Sequence, residues 1–292
     1  MKVAIYSRVI EEDYYGDIQL FFDELYKHKI QPVIFYSFFE QIQNKINLPL
    51  SAATFNSSED LNGDIDFIIS FGGDGTLLDT VTLVRDKNIP VMGINFGRLG
   101  FLAGIGRNEL TAAVQSMGKR AFVIDKRTMI HVDSDQSLFG QVPYALNEFA
   151  IHKRDTEPMI KIHTYLNGEF LNTYWADGLI VATPTGSTGY SLSCNGPIVF
   201  PESGSFVITP VAPHNLNVRP IIVPDDNIIS FEIESRSEQI ICALDSRREI
   251  VSRDVQLAVR KESFHLSLVR LNENNFLQTL RNKLTWGLDK RN

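Results

Sequence analysis

The sequence predicts an α/β N-terminal domain built on a parallel sheet, followed by a mainly antiparallel, all-β C-terminal domain. Three observations carry this prediction. Short apolar runs alternate with helical spacing over the first hundred residues. The rhythm then changes to closely spaced β-branched segments separated by turn signals, and the glycines gather in two windows instead of spreading along the chain.

In chain order, Val3 to Tyr6, Val33 to Tyr36, Phe67 to Phe71 and Val91 to Ile94 are short apolar runs, and Ile18, Phe21, Phe22 and Leu25 recur at the spacing of one helix face. That is the strand–helix–strand rhythm of a parallel sheet covered by helices. From about Asp125 the pattern is β. Asn167-Gly168, set between Thr164-Tyr165-Leu166 and Phe170-Leu171, predicts a two-residue hairpin. Further strands are expected at Ser205 to Val211, Ile228 to Ile233, Ile240 to Leu244, Val255 to Arg260 and Phe264 to Leu271. Phe276, Leu280, Leu284 and Leu288, four apart, predict a C-terminal helix that packs back on the first domain. The expected division is residues 1–124 for the α/β domain, 125–271 for the β-rich domain and 272–292 for the returning helix.

A chain of 292 residues has room for one large or two ordinary domains, each with its own core. Its 43% hydrophobic and 10% aromatic content excludes a disordered or fibrous chain. The net charge is −7 and no stretch gathers Lys and Arg into a stripe; Arg247 and Arg248 are flanked by Asp245 and Glu249. Nucleic acid is therefore not an expected partner. Two cysteines, Cys194 and Cys242, make no disulfide framework or metal knuckle and read as small residues of a reducing compartment. The first residues, MKVAIYSRVI, lack a signal-peptide core, and no apolar run approaches the ~20 residues that span a bilayer. A cytoplasmic protein without a membrane partner is expected.

Thirteen of the nineteen glycines lie in two windows, Gly72 to Gly106 and Gly178 to Gly204. In the first, a strand runs into Gly72-Gly73-Asp74-Gly75-Thr76 and then into helical spacing at Leu77, Val81 and Val84. A strand, a glycine turn and a helix start form an anion site, because free N–H groups at the helix N-terminus point at the ligand. Asp74 is the informative residue. A carboxylate inside a phosphate loop repels its ligand unless it holds a bridging Mg²⁺ or takes a proton from an attacking hydroxyl, and both jobs belong to phosphoryl transfer. The alternative is an Asx turn or a helix N-cap.

The second window, from Asp177-Gly178 through Thr185-Gly186-Ser187-Thr188-Gly189-Tyr190-Ser191-Leu192-Ser193, is an apolar strand ending in a loop dense in hydroxyls. Such a loop hydrogen-bonds sugars and phosphates, with Tyr190 available to stack on a planar ring. Between the windows, Asn147 and Glu148 interrupt an apolar strand. Strand alternation sends neighbouring side chains to opposite faces, so one of the pair would meet the core unless the strand ends or bulges there. No HExxH, GxSxG or histidine pair at metal spacing occurs, leaving a hydrolytic triad or protein-bound zinc without candidates.

Taken together, GGDGT after a strand, the Asn147-Glu148 pair, DGLIVATPTGSTGYSLSCNGP and ITPVAPHNLNVRP resemble the NAD kinase family in content, order and spacing, over about Val3 to Trp286. The resemblance implies transfer of the ATP γ-phosphoryl group to the 2′-hydroxyl of the adenosine ribose of NAD, giving NADP. A divalent metal ion, Mg²⁺ or similar, would ride on the ATP phosphates. Asp74 would be the general base and Gly75 a backbone contact to substrate. Asn147 and Glu148 would hold ribose hydroxyls. Thr188, Tyr190 and Ser193 would hold the adenosine part, in a binding loop that includes Gly189, Ser191 and Leu192, with Phe101 packed near the adenine. Asp177 would meet the nicotinamide end, often across a subunit boundary, implying a homo-oligomer, a dimer or tetramer. With one glycine window in each half, the active site is expected in the cleft between the domains.

Three positions depart from the family pattern: Gly189 stands where alanine is usual, Asp245-Ser246-Arg247 where a DGQ-like turn is common, and Trp175 where relatives are often basic. Two other functions remain open at this stage. One is a lipid or sugar kinase sharing the GGDGT loop, and the other a dinucleotide sensor without activity.

Overall fold

The segments FIISF at Phe67–Phe71 and VMGIN at Val91–Asn95 are buried at every position. Strands covered on both faces read as unbroken apolar runs, which is what a parallel sheet under helices requires. The computed structural model describes residues 1–49, 52–154, 156–271 and 275–286. In it the chain divides into two units, Met1–Lys126 with Leu266–Asn292, and Arg127–His265.

The first unit is built on an eight-stranded sheet in the order Ala53–Phe55, Gln31–Phe35, Lys2–Ser7, Phe67–Phe71, Val91–Asn95, Leu266–Arg270, Val123–Arg127, with Ile105–Gly106 beside Val91–Asn95. Lys2–Ser7 pairs in parallel with both Gln31–Phe35 and Phe67–Phe71. The winding therefore reverses at Lys2–Ser7, and the crevice beyond the carboxyl ends of that strand and its neighbour is where open α/β sheets take ligands. Helix Tyr15–Lys27 buries Ile18, Phe21, Phe22 and Leu25, the face its spacing predicts. The Phe71 ring, on the strand leading into the glycine turn, meets Phe21 edge-on at 4.9 Å and Phe96 at 5.3 Å. Each buried phenylalanine contributes about 1.5–3 kcal/mol, so the base of the loop is fixed by core packing.

One expectation is corrected. The sequence pattern places the run from Phe264 to Leu271 in the β-rich domain, within residues 125–271, but Leu266–Arg270 lies in the sheet of the first unit, with Leu268 opposite Val91. Its buried LSLV stretch has the unbroken apolar character of an inner parallel-sheet strand rather than the alternation of a half-exposed one. Helix Phe276–Leu284 follows, capped by Asn275, whose side chain accepts the Gln278 N–H at 2.8 Å. It buries Leu280 and brings the Phe276 ring within 6.4 Å of Phe101. Leu288, the last residue of the predicted stripe, lies outside the described residues.

The second unit consists of two six-stranded antiparallel sheets. Phe149 and Phe206 from one and Ile162, Phe231 and Val259 from the other share a buried core. This is the two-layer solution for strands with one apolar face. The hairpin at Asn167-Gly168 is present, with both residues at positive φ, 50° and 84°, as a two-residue turn between twisted strands demands. Among the described residues no helix is long and apolar enough to cross a membrane.

Candidate active site

Helix Asp74–Val84 starts directly after the Gly72-Gly73 turn, with Gly73 as its N-cap. A Cβ added at Gly73 or Gly75 would meet nothing closer than 3.9 Å, so the backbone of the first turn is bare on the side where a ligand would approach. That is the arrangement in which helix N–H groups and dipole favour an anion. The strand before it is pinned to its neighbour by the Ser7 hydroxyl, which donates to the Phe71 carbonyl at 2.9 Å. Arg8 and Tyr6 both reach Asp79 one turn along the helix.

Asp74 is neither an N-cap nor an Asx turn. Its half-buried carboxylate accepts the Phe101 N–H on Oδ2 at 2.9 Å, and those of Leu102 and Ala103 on Oδ1 at 3.0 and 2.9 Å. An ionised carboxylate offers about four acceptor sites; three are taken, leaving one on Oδ2. The loop that holds Asp74 is itself shaped by Asn95, which donates to the Arg98 carbonyl and accepts the Gly97 N–H. Asp74 and Phe101, predicted from separate motifs, are thus hydrogen-bonded partners. Gly100, quoted only as part of a motif, is packed against the Asp74 carboxylate.

In the second unit, strand Glu148–Lys153 lies between Gly178–Ala182 and Gln239–Leu244, with Glu148 opposite Ala182 and Phe149 opposite Leu244. This register brings three segments to one sheet end: residues 146–147 before Glu148, the loop after Ala182, and the turn after Leu244. The strand does end at the polar pair, since Tyr144–Ala145 and Glu148–Lys153 are separate strands in different sheets. Leu146 and Asn147 in the gap would leave backbone groups unpaired, a cost of ~1–3 kcal/mol each when buried. The Leu146 and Asn147 carbonyls accept from the Thr183 hydroxyl and N–H. The N–H groups of Leu146, Asn147 and Glu148 all donate to the Asp245 carboxylate, at 2.9, 2.9 and 3.1 Å.

Glu148 is the electrostatic oddity of the site. Its Oε2 is sealed from solvent and has no hydrogen-bond partner. Burial, with the charge of Asp245 beside it, pushes its carboxyl up to about 8. Burial also pushes Asp245 upward, against the pull of its three N–H donors. A carboxyl that ionises near neutral pH and has an open acceptor suits a ligand that brings a hydroxyl.

The loop after Ala182 has residues of several kinds. Thr188 and Gly189 are half-buried, and Tyr190 and Ser193 are exposed, with the Tyr190 ring 5.6 Å from His152. Leu192 is half-buried. Ser191 is fully buried and its hydroxyl pairs with Thr209 at 2.8 Å, so that hydroxyl shapes the loop. Gly186 lies so close to Asn147 that a Cβ would sit 2.1 Å from its carbonyl oxygen, whereas at Gly189 the nearest atoms are 3.3 and 3.4 Å away. Asp177 is ion-paired with Lys153 at 2.9 Å. Trp175 stacks on His214 with ring centroids 4.3 Å apart.

Asp245 and Arg247 stand out in the sequence only as part of a turn that departs from the resemblance, with no role attached. Nothing local marks them, because Asp245 acts on residues about a hundred positions earlier.

This geometry has counterparts among known proteins. The family described as the ATP-NAD kinase N-terminal domain matches residues 42–120, and the ATP-NAD kinase C-terminal domain matches residues 146–271. The NAD kinase of Cytophaga hutchinsonii is 51% identical and that of Flavobacterium psychrophilum 42% identical, each over the whole of both chains. Among solved structures, an NAD kinase from Archaeoglobus fulgidus in complex with ATP superposes with a TM-score of 0.75 at 25% identity, covering 98% of this chain and 99% of that one. Yeast NADH kinase complexed with NADH gives a TM-score of 0.87 at 24% identity, covering 99% and 88%, a likeness of fold. With both domain families matched in order and relatives alike from end to end, the chain belongs to the NAD kinase family.

Proposed function

We propose that this NAD kinase moves the γ-phosphoryl group of ATP to the 2′-hydroxyl of the adenosine ribose of NAD, giving NADP and ADP, with Asp74 as general base. The 2′-oxygen attacks the γ-phosphorus, the bond to the β,γ-bridging oxygen breaks with its electron pair leaving on ADP, and the hydroxyl proton passes to Asp74. The observation that carries this reading is the Asp74 carboxylate itself. It stands at the first turn of an anion-favouring helix, aimed by three backbone N–H groups, with one acceptor site left on Oδ2. A positioned base is worth about 10²–10⁴-fold.

Asn147 and Glu148 hold the ribose hydroxyls, Thr188, Tyr190 and Ser193 the adenosine part, and Gly75 and Phe101 flank the substrate. The half-buried Gly189 and Leu192 form the backbone and wall of that loop. Among the described residues there is no group of three or more His, Cys, Asp or Glu that could hold a metal. A divalent ion, Mg²⁺ or similar, would enter on the ATP phosphates and would neutralise charge on the transferred group. Asp177 meets the nicotinamide end, in a cytoplasmic homo-oligomer, a dimer or tetramer.

The decisive experiment is Asp74→Asn, assayed for NADP formation with ATP and Mg²⁺ alongside calorimetric binding of NAD. Turnover is expected to fall by about 10²–10⁴-fold while NAD still binds. Undiminished turnover would remove Asp74 from the base role, and ADP release with a lipid or sugar acceptor but not NAD would overturn the reaction itself.

A further inference from the structure

The turn between strands Gln239–Leu244 and Arg247–Ser252 is Asp245-Ser246, so the charged residues Asp245 and Arg247 stand on either side of Ser246. Asp245 takes the N–H groups of Leu146, Asn147 and Glu148, and its own N–H donates to the Glu148 carbonyl at 3.0 Å. Arg247 donates through its two terminal nitrogens to the carbonyls of Val142 and Tyr144, and its guanidinium lies 5.6 Å from the centre of the Phe139 ring. A carboxylate is acceptor-only and a guanidinium donor-only, so the two read opposite sides of one backbone. Between them they hold residues 142–148 at six points.

We propose that Asp245 and Arg247 form a positioning clamp that sets the aim of the Asn147–Glu148 pair. The inference rests on the reading of that pair as the ribose contact. Three features support it. Within the gripped segment Leu146 and Asn147 lie in the gap between strands Tyr144–Ala145 and Glu148–Lys153, where no ladder fixes the backbone. The grip ends on the two residues whose side chains face the loop of residues 183–193. Glu148 faces Asp245 from the turn and Tyr190 from helix Tyr190–Ser193, and the same Asp245 that places Glu148 adds to the upward push that burial gives its carboxyl. Neither clamp residue need touch the substrate.

The test uses the full-length enzyme and four variants: Glu148→Gln, Asp245→Asn, Arg247→Lys and Arg247→Met, with KM for NAD, KM for ATP, kcat and the pH profile of kcat/KM. In Asp245→Asn an amide donor replaces the oxygen that accepts from Leu146, opposing two donors and displacing the turn. KM for NAD is expected to rise by about 10- to 100-fold while KM for ATP stays within about twofold. Loss of the neighbouring negative charge moves the ionisation of Glu148, and the pH limb that it causes, to lower pH. Arg247→Met raises KM for NAD in the same selective way, and Arg247→Lys, which keeps a donor but not the fork, falls between it and the parent.

If Glu148→Gln leaves KM for NAD and the pH limb unchanged, the ribose reading fails. If Glu148→Gln raises KM but the clamp variants do not, or raise both KM values alike, the clamp alone is overturned. Should Asp245→Asn fail to fold, the Arg247 pair decides the matter.

Discussion

A Cβ on residue 100 would lie 1.8 Å from Oδ1 of Asp74, so Gly100 and the Asp74 carboxylate fill one shared space. The contact joins the start of a helix to a loop 26 positions later, and it makes the direction of the carboxylate depend on a residue with no functional group. In Gly100→Ala either the carboxylate turns or residues 101–103 withdraw their N–H groups. Displacement of a reacting group by about 1 Å costs on the order of 100-fold in rate. We expect kcat to fall by about that factor with NAD affinity nearly unchanged. A variant with parental kcat would show that the aim of Asp74 does not depend on this contact.

Two glycines of the second window, Gly186 and Gly189, should behave oppositely. At Gly186 a methyl group would strike the Asn147 carbonyl oxygen, backbone against backbone, and neither can swing aside. Gly186→Ala is expected to destabilise the fold by about 1–3 kcal/mol, as overpacking does, and to raise KM for NAD. At Gly189, where φ is −99° and the nearest atoms are 3.3 Å away, a methyl group fits with a shift of a few tenths of an ångström. Gly189→Ala is expected within about 0.5 kcal/mol of the parent. Urea denaturation of the pair distinguishes the two outcomes.

Glu148 should leave a signature in the pH dependence of stability. Its folded-state value, about 8, is raised above that of an exposed carboxylate. The folded protein therefore keeps a proton that the unfolded chain releases near pH 4–5. The group's contribution is fully present below that range and is lost as pH rises through about 8. Glu148→Gln, which cannot ionise, is expected to lose less Tm than the parent between about pH 6 and about pH 9. Parallel Tm curves for the two proteins would rule this out.

Phe71 connects the core to the glycine turn through its ring contacts with Phe21 and Phe96. Phe71→Ala is expected to cost about 3–5 kcal/mol, read as a lowered denaturation midpoint. Phe71→Leu, which keeps most of the volume, is expected to cost less and to recover most of the activity.

Much of this was legible in the sequence where the signal is local. The glycine turn after a buried strand, the helix face of Ile18 to Leu25 and the Asn167-Gly168 hairpin are each written in adjacent residues, and each stands where it was expected. The polar interruption at Asn147-Glu148 correctly marked a strand end, because alternation cannot place both side chains. What escaped was long-range. A four-residue apolar run such as Leu266 to Val269 is compatible with either sheet, and only its burial on both faces assigns it. Ser191 sits among ligand-type residues, and its pairing with Thr209 is decided by a strand eighteen positions away. Asp245 and Arg247 act on backbone atoms, which have no sequence identity to covary with or to spell a motif.

The position of Leu266–Arg270 between Val91–Asn95 and Val123–Arg127 bears on how the protein is made. A ribosome delivers every other strand of the first sheet before residue 128, then synthesises the whole of residues 127–265 before supplying this one. At about 5–20 residues per second that interval is roughly 7 to 30 s, long enough for the second unit to fold while the sheet still lacks its inner strand. Throughout that time the Val91 end of its strand, which Ile105–Gly106 does not cover, presents an unpaired edge, the feature by which nascent chains pair with one another. A chain cut short anywhere before Leu266 would be left in that state permanently.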